Sequence, residues 1–141
     1  MSLSKKYTVY APRASAEFNR RFENLLEEFT REAAIIMGDE LDALLLGGGY
    51  GREEGGVRIE GEQESLQNDL DFTIVVADKK SPKLKLLDEL ADRYAQSLNI
   101  HVDFSRPLSR LLYRQKRFAK GAVFLQIHQY EIRITDDPAE N

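Results

Sequence analysis

The sequence predicts an α/β fold, a sheet flanked by helices, and three observations carry the prediction. A long amphipathic helix opens the chain, short aliphatic and β-branched runs follow, and a second amphipathic helix separates the last two of those runs. Such alternation builds a sheet with helices packed on it. The 141 residues are enough for one domain spanning 1–141, with 1–14 as an N-terminal lead-in and 106–141 as a partly helical tail.

From Ser15 to Met37, Phe18, Phe22, Leu25, Phe29, Ala33 and Ile36 recur at steps of three and four and share one helical face. Ser15 suits the N-cap and Gly38 the position past the C-terminus. Leu41 to Leu46 reads as a buried strand. Gly47 to Gly56 is a loop with six glycines in ten positions. Val57 to Gln67 is polar and patternless, an exposed excursion. Asp69 to Ala77 forms the second strand, rich in branched residues. After a turn at Asp78 to Ser81, Ser81-Pro82 sets an N-cap followed by proline at the first helical position. Leu84, Leu87, Ala91, Tyr94 and Leu98 make the apolar face of the second helix, and Asn99 ends it. Ile100 to Ser105 is a third strand, closed by Pro107. Leu108 to Arg117 looks helical, and Ala122 to Ile134 reads as a helix running into a strand.

Composition excludes several classes of function. With 42% hydrophobic and 31% charged residues the chain is an ordinary globular sequence. It has no cysteine, so disulfide frameworks, thiolate zinc sites and cysteine nucleophiles are ruled out, and two histidines cannot build a multi-histidine metal cluster. No apolar run is long enough for a membrane span, and no apolar core follows the first lysines as in a signal peptide. A cytoplasmic protein that does not engage a membrane is the expectation. Met1-Ser2-Leu3 has the look of a cloning remnant. The end, Asp136 to Asn141, shows no clear element, which fits a truncated chain or a small stand-alone domain. A net charge of −4 argues against broad, non-specific DNA binding. Arg106, Arg110, Arg114, Lys116, Arg117 and Lys120 fall in a stretch without acids, best read as a solvated helix face.

Three features carry chemistry. Gly47, Gly48, Gly49, Tyr50, Gly51 and Arg52 follow a strand, where backbone without Cβ atoms can approach an anion closely. The loop fails the dinucleotide fingerprint and the Walker pattern, having Val57-Arg58 where Lys-Ser/Thr belongs. Asp69 and Asp71 lie two apart on a strand and so project from one face, roughly 6–7 Å apart at Cα. Like charges there repel, and a divalent cation with hard oxygen ligands, Mg²⁺, removes that cost. Asp103, inside the next apolar strand beside His101, could join them if the two strands are neighbours.

In that order, these motifs resemble the nucleotidyltransferase superfamily with the DNA polymerase beta-like fold. Within it they are most similar to bacterial predicted nucleotidyltransferase domains with a Gly-Gly-Tyr-Gly-Arg loop and an Asn-Asp-x-Asp-Phe strand. The resemblance covers roughly Ser15 to Ser105, and Gln129-Tyr130-Glu131 matches a later tyrosine-glutamate segment. It implies a nucleotidyltransferase-type mixed sheet with Gly48 and Gly49 (or Gly47 and Gly48) against nucleotide phosphates. It also implies two Mg²⁺ ions held by the catalytic carboxylates Asp69, Asp71 and Asp103. The implied reaction moves a nucleoside monophosphate from a nucleoside triphosphate, ATP foremost, to an acceptor hydroxyl. A small molecule such as an aminoglycoside, a protein side chain and an RNA end all fit as acceptor. A non-catalytic nucleotide- or partner-binding module that keeps the fold is the alternative, and a helical partner protein is a third reading. Glu53 departs from the family, which usually keeps glycine there, and the stretch from the glycines to Asp69 is longer than in minimal members.

Overall fold

A computed structural model describes residues 9–104, 107–109 and 123–124. Helix α1 (Ala16–Met37) begins where the sequence places it, because the Ser15 side chain accepts from the Phe18 amide. It ends at Gly38, whose φ of 57° is one that side-chain-bearing residues rarely adopt. Its buried stripe is Phe18, Phe22, Leu26, Phe29, Ala33 and Met37. Leu26 and Met37 thus take the places expected for Leu25 and Ile36, which sit half-buried at the margin. The stripe has a single step of three, from Leu26 to Phe29, so the contact line is displaced by one residue at Leu26 and at Met37.

After a 3-10 turn (Gly38–Glu40), strand β1 (Leu41–Leu46) runs into a short helical turn, α2 (Gly48–Gly51). The expected exposed excursion is an ordered hairpin, β2 (Val57–Glu60) and β3 (Gln63–Leu66), paired antiparallel. Its two-residue turn has Gly61 at φ 63°, the handedness that matches hairpin twist. Strand β4 (Leu70–Val76), helix α3 (Leu84–Leu98) and strand β5 (Val102–Phe104) follow as expected, each shorter than its predicted span. The helix itself begins at Leu84, but Ser81 caps the turn leading into it by accepting from the Lys83 amide. Asn99, at φ 55°, terminates it.

Beyond Pro107 the expectation changes. Leu108–Ser109 is a strand, β6, and not the start of a helix, because it pairs parallel with Val75 and Val76 of β4. Val123–Phe124 is strand β7, on the far side of β1. The rest of both predicted segments, most of the basic stretch and Gln129-Tyr130-Glu131 lie outside the described residues.

The sheet is mixed, in the order β5-β4-β1-β7, with β6 beside β4. β1 pairs antiparallel with β4 and β7, while β5 and β6 run parallel to β4. β1 is interior and almost wholly buried, which is why it reads as an unbroken apolar run. Phe29 of α1 stacks on Phe72 of β4 with centroids 4.6 Å apart, and Phe104 and Tyr94 complete the cluster. This aromatic contact puts α1 and α3 on the face of the sheet to which Phe72 and Phe104 point. No helix of the described residues is long and apolar enough to cross a membrane.

The Tyr94 hydroxyl ties the two helices together, donating to the Glu32 carboxylate with Glu28 also in reach. Burial first, and then these two carboxylates, push the Tyr94 hydroxyl pKa upward. Folding therefore favours the protonated phenol. The stability it contributes is complete below the unfolded-state value near 10 and is lost as pH rises beyond it. Tyr94→Phe should cost about 1 kcal/mol at neutral pH. In alkaline melts the variant and wild type should converge; a constant gap through pH 11 would contradict this account.

Candidate functional site

Antiparallel pairing sets the end of β1 beside the start of β4, and the parallel crossover through α3 brings the start of β5 to the same place. The pairing aligns Asp71 with Asp103 and Phe72 with Phe104. Aligned residues of neighbouring strands share a face, about 4.8 Å apart. Since the two phenylalanines point to the helices, the two aspartates project from the opposite face. Both are exposed.

Asp69 lies just before β4, at the same strand parity as Asp71. One of its oxygens accepts from the His101 amide at 3.3 Å. His101 in turn places Nε2 2.8 Å from Asp103 Oδ2. The structure thus aligns two of the three predicted carboxylates and ties the third to the neighbouring strand. Among the described residues no group of three or more His, Asp or Glu side chains is arranged to hold a metal ion. Mg²⁺ commonly takes only one or two protein carboxylates, completing its shell with water and substrate phosphates. The exposed Asp71–Asp103 pair fits that requirement in donor type and number.

The glycine loop packs directly against this pair. Gly47 donates its amide to the Asp71 carbonyl at 2.8 Å. Gly48 has φ 66°, and a Cβ there would lie 2.6 Å from Asp71 Oδ2. Position 48 therefore favours glycine for its dihedral, and a Cβ there would push the Asp71 carboxylate aside. Gly48 and Gly49 open the α2 turn, where amides have no intrahelical acceptor.

Tyr50 and Arg52, predicted with the glycines as nucleotide-binding residues, hold other positions. Tyr50 is fully buried. Its hydroxyl donates to the Gly56 carbonyl at 2.8 Å and accepts from the Gln67 and Asn68 amides at 3.0 Å each. Burial raises its pKa, the two amides oppose that rise, and the Asp69 charge adds to it. Tyr50 therefore positions the loop and the turn leading into Asp69. Arg52 pairs with Glu54 at 3.3 Å on the surface. Glu53 has φ 62°, which explains in backbone terms why glycine would suit its place.

Sequence reasoning assigned no role to several residues that build this site. A Cβ at Gly55 would lie 1.9 Å from the Tyr50 ring, so the phenol fits only over glycine. The Asn68 carboxamide oxygen accepts from the Gly56 amide, closing the loop. Glu64 of β3 accepts from the hydroxyl and the amide of Ser15, anchoring the hairpin to the start of α1, and these bonds hold its carboxyl below the usual range. Gly61-Glu62, following the alternation of Val57 and Ile59 with Arg58 and Glu60, was the available signal for the hairpin.

No family model and no curated protein matches the chain. Among solved structures it is similar to a chain of the toxin-antitoxin MntA-HpeT crystal structure, a mutant form. The two are 21% identical, with 76% of this chain and 73% of that one covered and a TM-score of 0.42.

Two substitutions test the loop in opposite directions. Tyr50→Phe strands two amides and a carbonyl and should cost about 2–3 kcal/mol in urea unfolding. Glu53→Gly relieves a left-handed residue, worth about 1–2 kcal/mol, against roughly 0.5–1 kcal/mol of added chain entropy. It should leave the fold unchanged or up to about 1.5 kcal/mol more stable. Destabilisation by Glu53→Gly would show that the Glu53 side chain makes a contact that outweighs its backbone strain.

Proposed function

We propose that the protein is a Mg²⁺-dependent nucleotidyltransferase that moves a nucleoside monophosphate from a nucleoside triphosphate, ATP in the first instance, to an acceptor hydroxyl. The observation that carries this reading is the in-register Asp71–Asp103 pair with the Gly48 backbone set against it. Asp71 and Asp103 would hold the metal, with Asp69 beside them. Bound there, Mg²⁺ would neutralise phosphate charge and favour pyrophosphate departure.

The chain's own groups would supply position and proton transfer. The Gly48-Gly49 backbone, free of Cβ atoms, lets phosphate oxygens approach the amides that open α2. His101 orients the Asp103 carboxylate, whose other oxygen accepts the acceptor's hydroxyl proton. The acceptor oxygen so deprotonated attacks the α-phosphorus in line, and the bond from that phosphorus to the oxygen bridging it to the β-phosphate breaks to release pyrophosphate. Alignment and charge placement, without a covalent enzyme intermediate, account for the rate. The acceptor is a small molecule, a protein side chain or an RNA end.

The second reading, a nucleotide-binding module without catalysis, is favoured by the lack of a three-carboxylate arrangement among the described residues. Thermal melts with EDTA, Mg²⁺ and MgATP separate the two, together with transfer of α-labelled ATP. Near 100 times the dissociation constant the ligand should stabilise wild type by about 2.7 kcal/mol. Asp71→Asn should fold as well as wild type without metal and lose most of that response. Binding without label transfer to any acceptor class would favour the module. No response to MgATP at all would refute both.

A further inference from the structure

Hairpin β2–β3 forms a separate two-stranded sheet, so β2 keeps one unpaired edge, and three of its four residues are exposed. Glu60 and Gln63 close the two-residue turn as a hydrogen-bonded pair, so Arg58–Ser65 is the next such pair. The N–H and C=O groups of Val57 and Ile59 therefore point away from β3, toward solvent. Ile59 is 60% exposed, one of few large apolar side chains so open among the described residues. Arg58 and Glu60 flank it on the other face of the hairpin, opposite Ser65 and Gln63, which carry no charge.

We propose that β2 is a self-complementary edge that pairs antiparallel with β2 of a second copy of this chain about a two-fold axis at Ile59. Ile59 is a residue whose outward groups can bond to their own symmetry mates, as an isologous hydrogen-bonded pair requires. That register sets Arg58 of each copy across from Glu60 of the other, twice, in the closer non-hydrogen-bonded pairs where opposite charges stabilise. It also sets Val57 across from Gly61, which has no side chain to clash, and brings the two exposed Ile59 side chains together. The result is a four-stranded sheet across the two-fold axis. A one-residue slip would take Arg58 away from Glu60 and oppose side chains of different faces, so the register is specific.

Sedimentation velocity on the full chain, from micromolar to hundreds of micromolar, tests this. Wild type should dimerise reversibly, and more weakly as salt is raised. Arg58→Glu and Glu60→Arg should each weaken the dimer about tenfold to a hundredfold by placing like charges opposite each other. An equimolar mixture of these two variants should associate again, since each then meets its opposite charge. Ile59→Pro removes the outward N–H but no bond within the hairpin, and should give a folded monomer. If that variant fails to fold, the charge exchange decides alone. A wild-type monomer throughout, a dimer insensitive to both single charge changes, or a mixture that stays monomeric would each overturn the proposal.

Discussion

The geometry of the candidate site depends on one buried hydroxyl. Tyr50 joins the Gly56 carbonyl to the Gln67 and Asn68 amides, and so holds together the two ends of the hairpin insertion. Its ring packs edge-on against Phe22 of α1, and Phe22 packs on Tyr10, whose carbonyl accepts from the Gly55 amide. The glycine loop, the N-terminal segment and the approach to β4 are thereby closed into one unit. A residue that ties loop backbone to the strand bearing Asp71 fixes both halves of a site at once. The glycine at 55 follows from it, since a side chain there would collide with the ring.

The sheet divides labour between its faces. On one, Phe29, Phe72, Phe104 and Tyr94 form the aromatic contact that binds α1 and α3. On the other, residues offset by one position present Asp71 and Asp103. The same period-two alternation therefore sets the core and the polar cluster, and a register slip of one residue would destroy both.

Much of this was legible in the sequence. The helices and β1, β4 and β5 announce themselves through period and caps, because each buries a continuous face. The shared parity of Asp69 and Asp71 followed from strand geometry. Alignment of Asp71 with Asp103 did not, because register between strands joined by a helix is set by packing. The hairpin was missed because neither of its faces is fully buried: only Leu66 is inside, and Glu64 is held by a polar bond to Ser15. Tyr50 was grouped with the glycines as part of one anion-binding loop, and only the tertiary structure shows Phe22 and Gly55 enclosing its ring. β6 was masked by a sequence whose strand identity comes from β4 alone.

The acidic cluster itself adds little strain. Asp71 and Asp103 are exposed, so water screens their repulsion, and His101 gives Asp103 a partner. A buried pair of carboxylates would have to be neutralised before the chain could fold; this pair does not. The fold is held by the aromatic face and the Tyr50 unit, neither of which includes the aspartate carboxylates. These carboxylates can thus lie side by side in the folded chain, and they can change without loss of the scaffold. Gly48 is the exception, because its dihedral and its contact with Asp71 join the backbone of the loop to the chemistry of the site.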